Sequence, residues 1–171
     1  MAVISRVGFG QVEPNHLSMT HTGQIYAQLP ANKEIKQLEN GQFAKYDIAN
    51  REVNFTGEGE WLLVFNEVKL YGYYKDESYK DYVMKADAFT EQEMTPRLVK
   101  TNVGDIFTTN TVGGAGSFRD KYDGIDLNVG DTVTPGADGF LAAGSGDIEF
   151  TVVKVYTMPD GQPAVKLQRT K

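Results

Sequence analysis

The sequence predicts an all-β protein: a small barrel-like domain of short antiparallel strands, with an extended N-terminal segment and one short helical excursion. Two observations carry this. The 18 glycines fall mostly in short turn-like clusters, a spacing that suits many short strands rather than long helices. Nine Tyr and nine Phe suit pleated, half-buried surfaces. At 171 residues, 40% of them hydrophobic, the chain is long enough for one domain with a real core. We divide it into an N-terminal arm or edge segment, 1–30, and a single barrel-like domain, 31–171, with a helical or loop insertion at about 75–100.

Residues 1–30 contain Val3, Ile4, Val7, Phe9 and Val12 and few charges, while Gly8, Gly10, Pro14 and Gly23 break any helix. So apolar a stretch is awkward as free coil. It either packs on its own domain or lies on a neighbour as an arm. Thr22–Leu29, TGQIYAQL, reads as one strand. Glu34–Tyr46 reads as two short strands joined through Asn40-Gly41, a strong local turn signal. Asn50-Arg51 marks a second reversal.

The chain is organised around Val53–Tyr74, which holds the single Trp, Trp61, and the densest apolar run, Leu62, Leu63, Val64, Phe65, Val68 and Leu70. It reads as strand Val53–Phe55, a turn over Thr56–Glu60, and strand Trp61–Phe65, together the most buried hairpin. Gly57 and Gly59 in its tip can take positive φ at little cost. The second arm is continuously apolar rather than alternating, which predicts burial on both faces or a bend near Asn66.

Lys75–Thr90 is the best helix candidate, capped by Asp76 or Ser78, with the excursion itself near residues 76–89. Pro96 marks a loop before Leu98-Val99. Asn-Val-Gly-Asp occurs twice, at Asn102–Asp105 and Asn128–Asp131, each time leading into a β-branched run. Gly113–Asp126 reads as a polar, Gly-rich loop. Glu149–Tyr156 and Ala164–Arg169 read as strands turned at Asp160-Gly161, with Val165 and Leu167 pointing inward. This last hairpin is expected to seal the barrel.

The formal net charge is −6, which argues against wrapping nucleic acid. Asp123, Asp126, Asp131, Asp138, Asp147 and Glu149 form an acidic stretch without a base. Lys154, Lys166, Arg169 and Lys171 follow it, so neighbouring copies in an assembly can complement one another. Simple surface variation is the plainer reading. With no Cys there is no disulfide or thiolate chemistry. The opening residues lack the apolar core of a secretory signal, and no stretch approaches the roughly 18 apolar residues of a membrane span.

No motif predicts catalysis, a cofactor or a metal. Glu13, His16 and His21 supply three potential ligands where zinc needs about four, or three plus water. Gly113–Ser117 lacks the Lys-Ser/Thr of a nucleotide-binding loop. Glu58 and Glu60 flank Gly59 in a solvated tip, which gives paired carboxylates no reason to separate their pKa values. Asp105, Asp131 and Asp147 each follow a Gly, where an Asp bonds nearby backbone N–H groups. Tyr71, Tyr73, Tyr74, Tyr79 and Tyr82 fit packing or a protein contact; interleaved Asp76, Glu77 and Asp81 oppose nucleic acid.

The opening MAVISRVGFGQVEPNHLSMTHTGQIYAQLP, with ENGQFAKYD and VNFTGEGEWLLVFNEVKLY after it, resembles small structural proteins of tailed bacteriophages, the head decoration, cement or auxiliary capsid proteins. The resemblance implies a β-rich protein, made in the host cytoplasm, that sits on the outside of an icosahedral virion head. It would bind the major capsid protein where subunits meet and self-associate as a dimer or trimer, with no membrane or direct nucleic-acid contact. It carries over no functional residue. The contact residues we expect come from arm, aromatic and loop positions: Val3, Ile4, Val7, Phe9, Tyr73, Tyr74, Tyr79, Phe118 and Arg119. The alternatives are another virion component, such as a head fibre base or tail protein, and a free-standing small barrel that binds nucleic acid or a small ligand.

Overall fold

The computed structural model describes residues 2–4, 9–23, 29–66, 83–85, 94–113, 125–159 and 161–171. Among these, β1 (Ala2–Ile4) and β2 (Val12–His16) precede a five-residue helix, α1 (Ser18–Thr22). Then come β3 (Gln37–Glu39), β4 (Phe43–Asp47), β5 (Glu52–Asn54), β6 (Leu62–Val64), β7 (Val83–Lys85) and β8 (Leu98–Val99). The second half holds β9 (Ile106–Thr109), β10 (Ile125–Leu127), β11 (Thr132–Pro135), β12 (Leu141–Ala143), β13 (Phe150–Thr157) and β14 (Pro163–Arg169). The chain is mostly β, as predicted.

Two sheets dominate. One has six strands in the order β12-β11-β13-β14-β9-β2, the other four in the order β5-β4-β6-β8; β1 pairs with β10 and β3 with β7 as two-stranded ribbons. Every one of these strand pairs is antiparallel. The expected barrel does not close among the described residues, because the six-stranded sheet keeps separate edges at β12 and β2. The β13–β14 hairpin lies at the middle of that sheet and seals nothing. The β2 edge carries Pro14 and a register shift between Glu13 and His16, two features that discourage further strand pairing.

The four-stranded sheet is a middle layer with apolar packing on both faces. Phe43, Leu63 and Val99 face the six-stranded sheet and join Phe107, Val133, Phe150, Val152, Val165 and Leu167 in one core. Ala44, Tyr46, Val53, Leu62, Val64 and Leu98 face the other way and pack with Ala31, Ile35, Leu38 and Met94. Of the two readings for the Trp61–Phe65 run, burial on both faces or a bend near Asn66, the structure realises the first over residues 61–64. Period-two alternation sends Leu63 to one core and Leu62 and Val64 to the other. Phe43, Phe107 and Phe150 bridge the layers, with ring centroids 5.3–6.4 Å apart and tilted or edge-on, a favourable aromatic arrangement.

The central hairpin is not a hairpin. β5 and β6 both pair with β4, on opposite sides, so Phe55–Trp61 crosses over the end of that strand. Its glycines serve close approach rather than positive φ. A Cβ on Gly57 would stand 2.6 Å from the Tyr46 carbonyl oxygen, and one on Gly59 would stand 3.2 Å from it. β3 and β4 also fail to pair with each other, although the Asn40-Gly41 turn between them forms, with Gly41 at φ 89°. The Asn50-Arg51 reversal does close a hairpin, β4–β5.

The helix expected at 76–89 contains β7, which pairs with β3; the rest of that span lies outside the described residues. The described helix is α1, whose last residue, Thr22, belonged to the strand expected at Thr22–Leu29. The loop expected over Gly113–Asp126 ends earlier than predicted, since Ile125 already pairs with Ile4 in β10.

Candidate functional site

The N-terminal segment is built into its own chain rather than extended. Ile4, 1% exposed, and Leu17 lie in the core shared by the two large sheets. Ser18 donates backbone and side-chain hydrogen bonds to Asp105 Oδ1, the backbone one at 3.1 Å. The Gly10 N–H donates to Glu39 Oε2 at 2.7 Å, and the Gln11 N–H to Asn110 Oδ1 at 2.7 Å. Of the two readings for this segment, its described residues follow the first.

Those last bonds belong to a buried polar seam. Asn40 and Asn66 pair reciprocally: Asn40 Nδ2 donates to the Asn66 carbonyl at 3.0 Å, and the Asn66 N–H donates to Asn40 Oδ1 at 2.8 Å. Asn66 Oδ1 then accepts the Arg97 N–H at 2.9 Å. Thr109 Oγ1 donates to the Gln11 carbonyl at 2.8 Å, and Asn110 Nδ2 reaches Gln162 Oε1 at 3.2 Å. In a dry interior each such bond removes a desolvation cost that an unpaired group would keep. The seam is therefore a lock between segments distant in sequence.

A second lock closes on Arg169, which is buried. Its Nη1 donates to the Thr101 carbonyl and, at 3.1 Å, to Thr101 Oγ1; its Nε donates to the Lys171 carbonyl at 2.8 Å. Its Nη2 pairs with Glu60 Oε1 at 2.8 Å, while Lys100 Nζ reaches Glu60 Oε2 at 2.9 Å. Burial pushes the Glu60 carboxyl up, but hydrogen bonds from Lys100 and Arg169 and their charges outweigh it and hold Glu60 below its ordinary value. The solvated carboxylate pair expected at Glu58 and Glu60 is thus divided. Both residues are exposed, but only Glu60 is held, by Lys100 and Arg169.

The two Asn-Val-Gly-Asp turns share one geometry. Asp105 Oδ2 accepts the Asn102 N–H at 2.8 Å, Asp131 Oδ2 accepts the Asn128 N–H at 2.7 Å, and Gly104 and Gly130 sit at φ 97° and 96°. This is the turn chemistry predicted for those aspartates. Asp147 differs: it is exposed and approaches Lys45 Nζ at 4.0 Å. Lys171 Nζ meets Glu149 Oε1 at 3.3 Å, so part of the acidic stretch is complemented within the chain.

A cleft of about 340 Å³ opens beside β3, lined by Ile35, Phe55 and Phe140 with Glu34, Lys36 and Asp138 at its polar margin. His16 and His21 stack obliquely, with ring centroids 5.6 Å apart, and among the described residues no group of three His, Asp or Glu side chains converges on a metal position. No described helix is long and apolar enough to cross a membrane.

Of the expected contact residues, Ile4 is taken up by the core, and Val3 belongs to β1. Phe9 is half-buried, and its carbonyl accepts Asn110 Nδ2 at 3.3 Å. Val7, Tyr73, Tyr74, Tyr79, Phe118 and Arg119 lie outside the described residues, as do Tyr71 and Tyr82. The Arg169 lock escaped sequence reasoning because its members come from three segments distant in sequence, Glu60, Lys100-Thr101 and Arg169–Lys171. Comparison with known proteins finds no family model, no curated protein and no solved structure that matches the chain.

Proposed function

We propose that this chain is a structural virion protein that decorates the outer surface of a tailed-phage capsid and stabilises it by bridging capsid subunits. The observation that carries the reading is where the buried charged groups are spent. Glu39 and Asp105 accept backbone N–H groups, and Arg169 donates to a carbonyl, a hydroxyl and a carboxylate. All three tie turns and segments of the chain to one another. A middle sheet packed on both faces adds stiffness. A scaffold of this kind suits contact work, in which rigid surfaces repeated on a symmetric lattice let weak single contacts hold well. Its partners are the major capsid protein and further copies of itself, and its place is the virion surface.

Cryo-electron microscopy of intact particles tests the proposal. Density matching this three-layer chain should recur at symmetry-related positions on the outside of the head. Heads that lack it, together with a chain absent from purified particles, overturn the proposal and favour the free-standing binding module.

A further inference from the structure

The β13–β14 hairpin holds two lysines in an arrangement that the fold alone does not favour. Lys154 and Lys166 are direct cross-strand partners, a placement in which like charges repel. Among the described residues neither forms an ion pair. In the strand register the nearest carboxylate on that row is Glu13, beyond Thr108, two strand spacings or about 10 Å away. A bulge creates the arrangement. Register passes from Val152↔Leu167 to Lys154↔Lys166, with Val153 as the extra residue. Without it, Lys154 would stand opposite Val165, whose side chain is in the core. Bulges commonly re-aim side chains where a surface is used. Both ammonium groups lie 5.7 Å from the centroid of the Tyr156 ring, which gives the pair an aromatic floor. The face is basic, partly apolar and turned away from the core.

We infer that Lys154, Tyr156 and Lys166 form a docking face for the carboxylates of a second copy of this chain. Charge complementarity selects that occupant. The chain has an excess of acids, 23 against 17 bases. Asp126 and Asp138 are exposed on the segments flanking β11 and form no ion pair among the described residues. A contact between unlike patches is head-to-tail and builds rings or strings. The inference deepens the assembly reading and rests on it for its setting, but its test uses the purified chain without capsids, so the two can fail separately.

The experiment is sedimentation velocity on the full chain across protein concentration and ionic strength. The wild type should gain mass with concentration in low salt and return to monomer at about 0.5 M salt, where screening is strong. Lys154→Glu places unlike charges opposite each other, so Tm should rise by about 2 °C while the association constant falls at least tenfold. Lys166→Glu should weaken association equally, which checks that the loss belongs to the face. The double variant Asp126→Lys, Asp138→Lys should be monomeric alone and associate when mixed with Lys154→Glu. A wild type that stays monomeric in low salt overturns the proposal. So does a folded Lys154→Glu that associates like wild type, or a monomer that instead retains a single-stranded oligonucleotide through these lysines.

Discussion

Gly130 and Gly139 both hold positive φ, 96° and 79°, yet they have different consequences. A Cβ on Gly130 would meet nothing within 4 Å, whereas one on Gly139 would fall 2.0 Å from the Phe43 carbonyl oxygen. That carbonyl's own residue donates its N–H to the Gly139 carbonyl at 2.7 Å, so the two backbones cannot separate freely. Gly130→Ala should cost about 1 kcal/mol, the strain of a left-handed residue, and Gly139→Ala about 3 kcal/mol or more; urea unfolding of the two variants measures the difference. At Glu60 the folded carboxyl lies below its ordinary value of 4.5. Its contribution is therefore present above that value and lost as pH falls through the lower, folded one. Glu60→Gln should cost about 1 kcal/mol at neutral pH, allowing for solvent screening. The gap to wild type should narrow as the pH drops below about 4.5, followed by thermal unfolding at stepped pH. Of these residue-scale features, Gly130 was legible from the Asn-Val-Gly-Asp repeat, and Gly139, which lies outside it, was not. The Glu60 clamp was not, because Arg169 lies 109 residues away.

Among elements, the N-terminal segment matters most to how the proposed function is tested. Deleting residues 2–20 first looks like the removal of a contact arm. The structure makes it the removal of β1, β2, the buried Ile4 and Leu17, and the Ser18 bonds to Asp105. The expected outcome is a loss of stability of several kcal/mol, on the order of two large buried side chains, visible as a lowered Tm before any capsid is added. A truncated chain with the wild-type Tm would return the segment to the role of a free arm. The apolar content of this segment signalled that it needed a partner; which surface supplied it was beyond a local pattern. Elsewhere, strand positions around Phe43–Asp47, Leu62–Val64 and the C-terminal pair were legible from apolar runs and turn residues, whereas the two-residue strand Leu98–Val99 was not. Their pairing was not, because period-two patterning says which face a side chain takes and is silent about the neighbouring strand.

At the scale of the whole molecule, one sheet belongs to two cores, so neither core can open without exposing the other's face. Trp61 lies in the core against the six-stranded sheet and reports on that side by fluorescence, while far-ultraviolet circular dichroism reports on all strands. The two unfolding curves in urea should coincide as a single transition. Separated midpoints would mean that the layers are independent units. The same layering shapes the functional reading, since a scaffold with apolar packing on both faces of its middle sheet leaves its outer faces and turns for contact. The expected aromatic and loop contacts at Tyr73, Tyr74, Tyr79, Phe118 and Arg119 fall outside the described residues. The Lys154–Tyr156–Lys166 face came instead from a bulge, which no spacing of residue types announces.

Composition and short-range pattern by themselves determined that this chain is mostly β, that the Trp61–Phe65 run is either buried on both faces or bent near Asn66, and that two aspartate turns share one design. Those properties depend on residues close together in the chain. Tertiary structure alone decided that β4 sits between β5 and β6, that the sheets stay open among the described residues, and that a bulge sets two lysines side by side. Each of those depends on hydrogen bonds and packing between residues brought together only when the chain has folded.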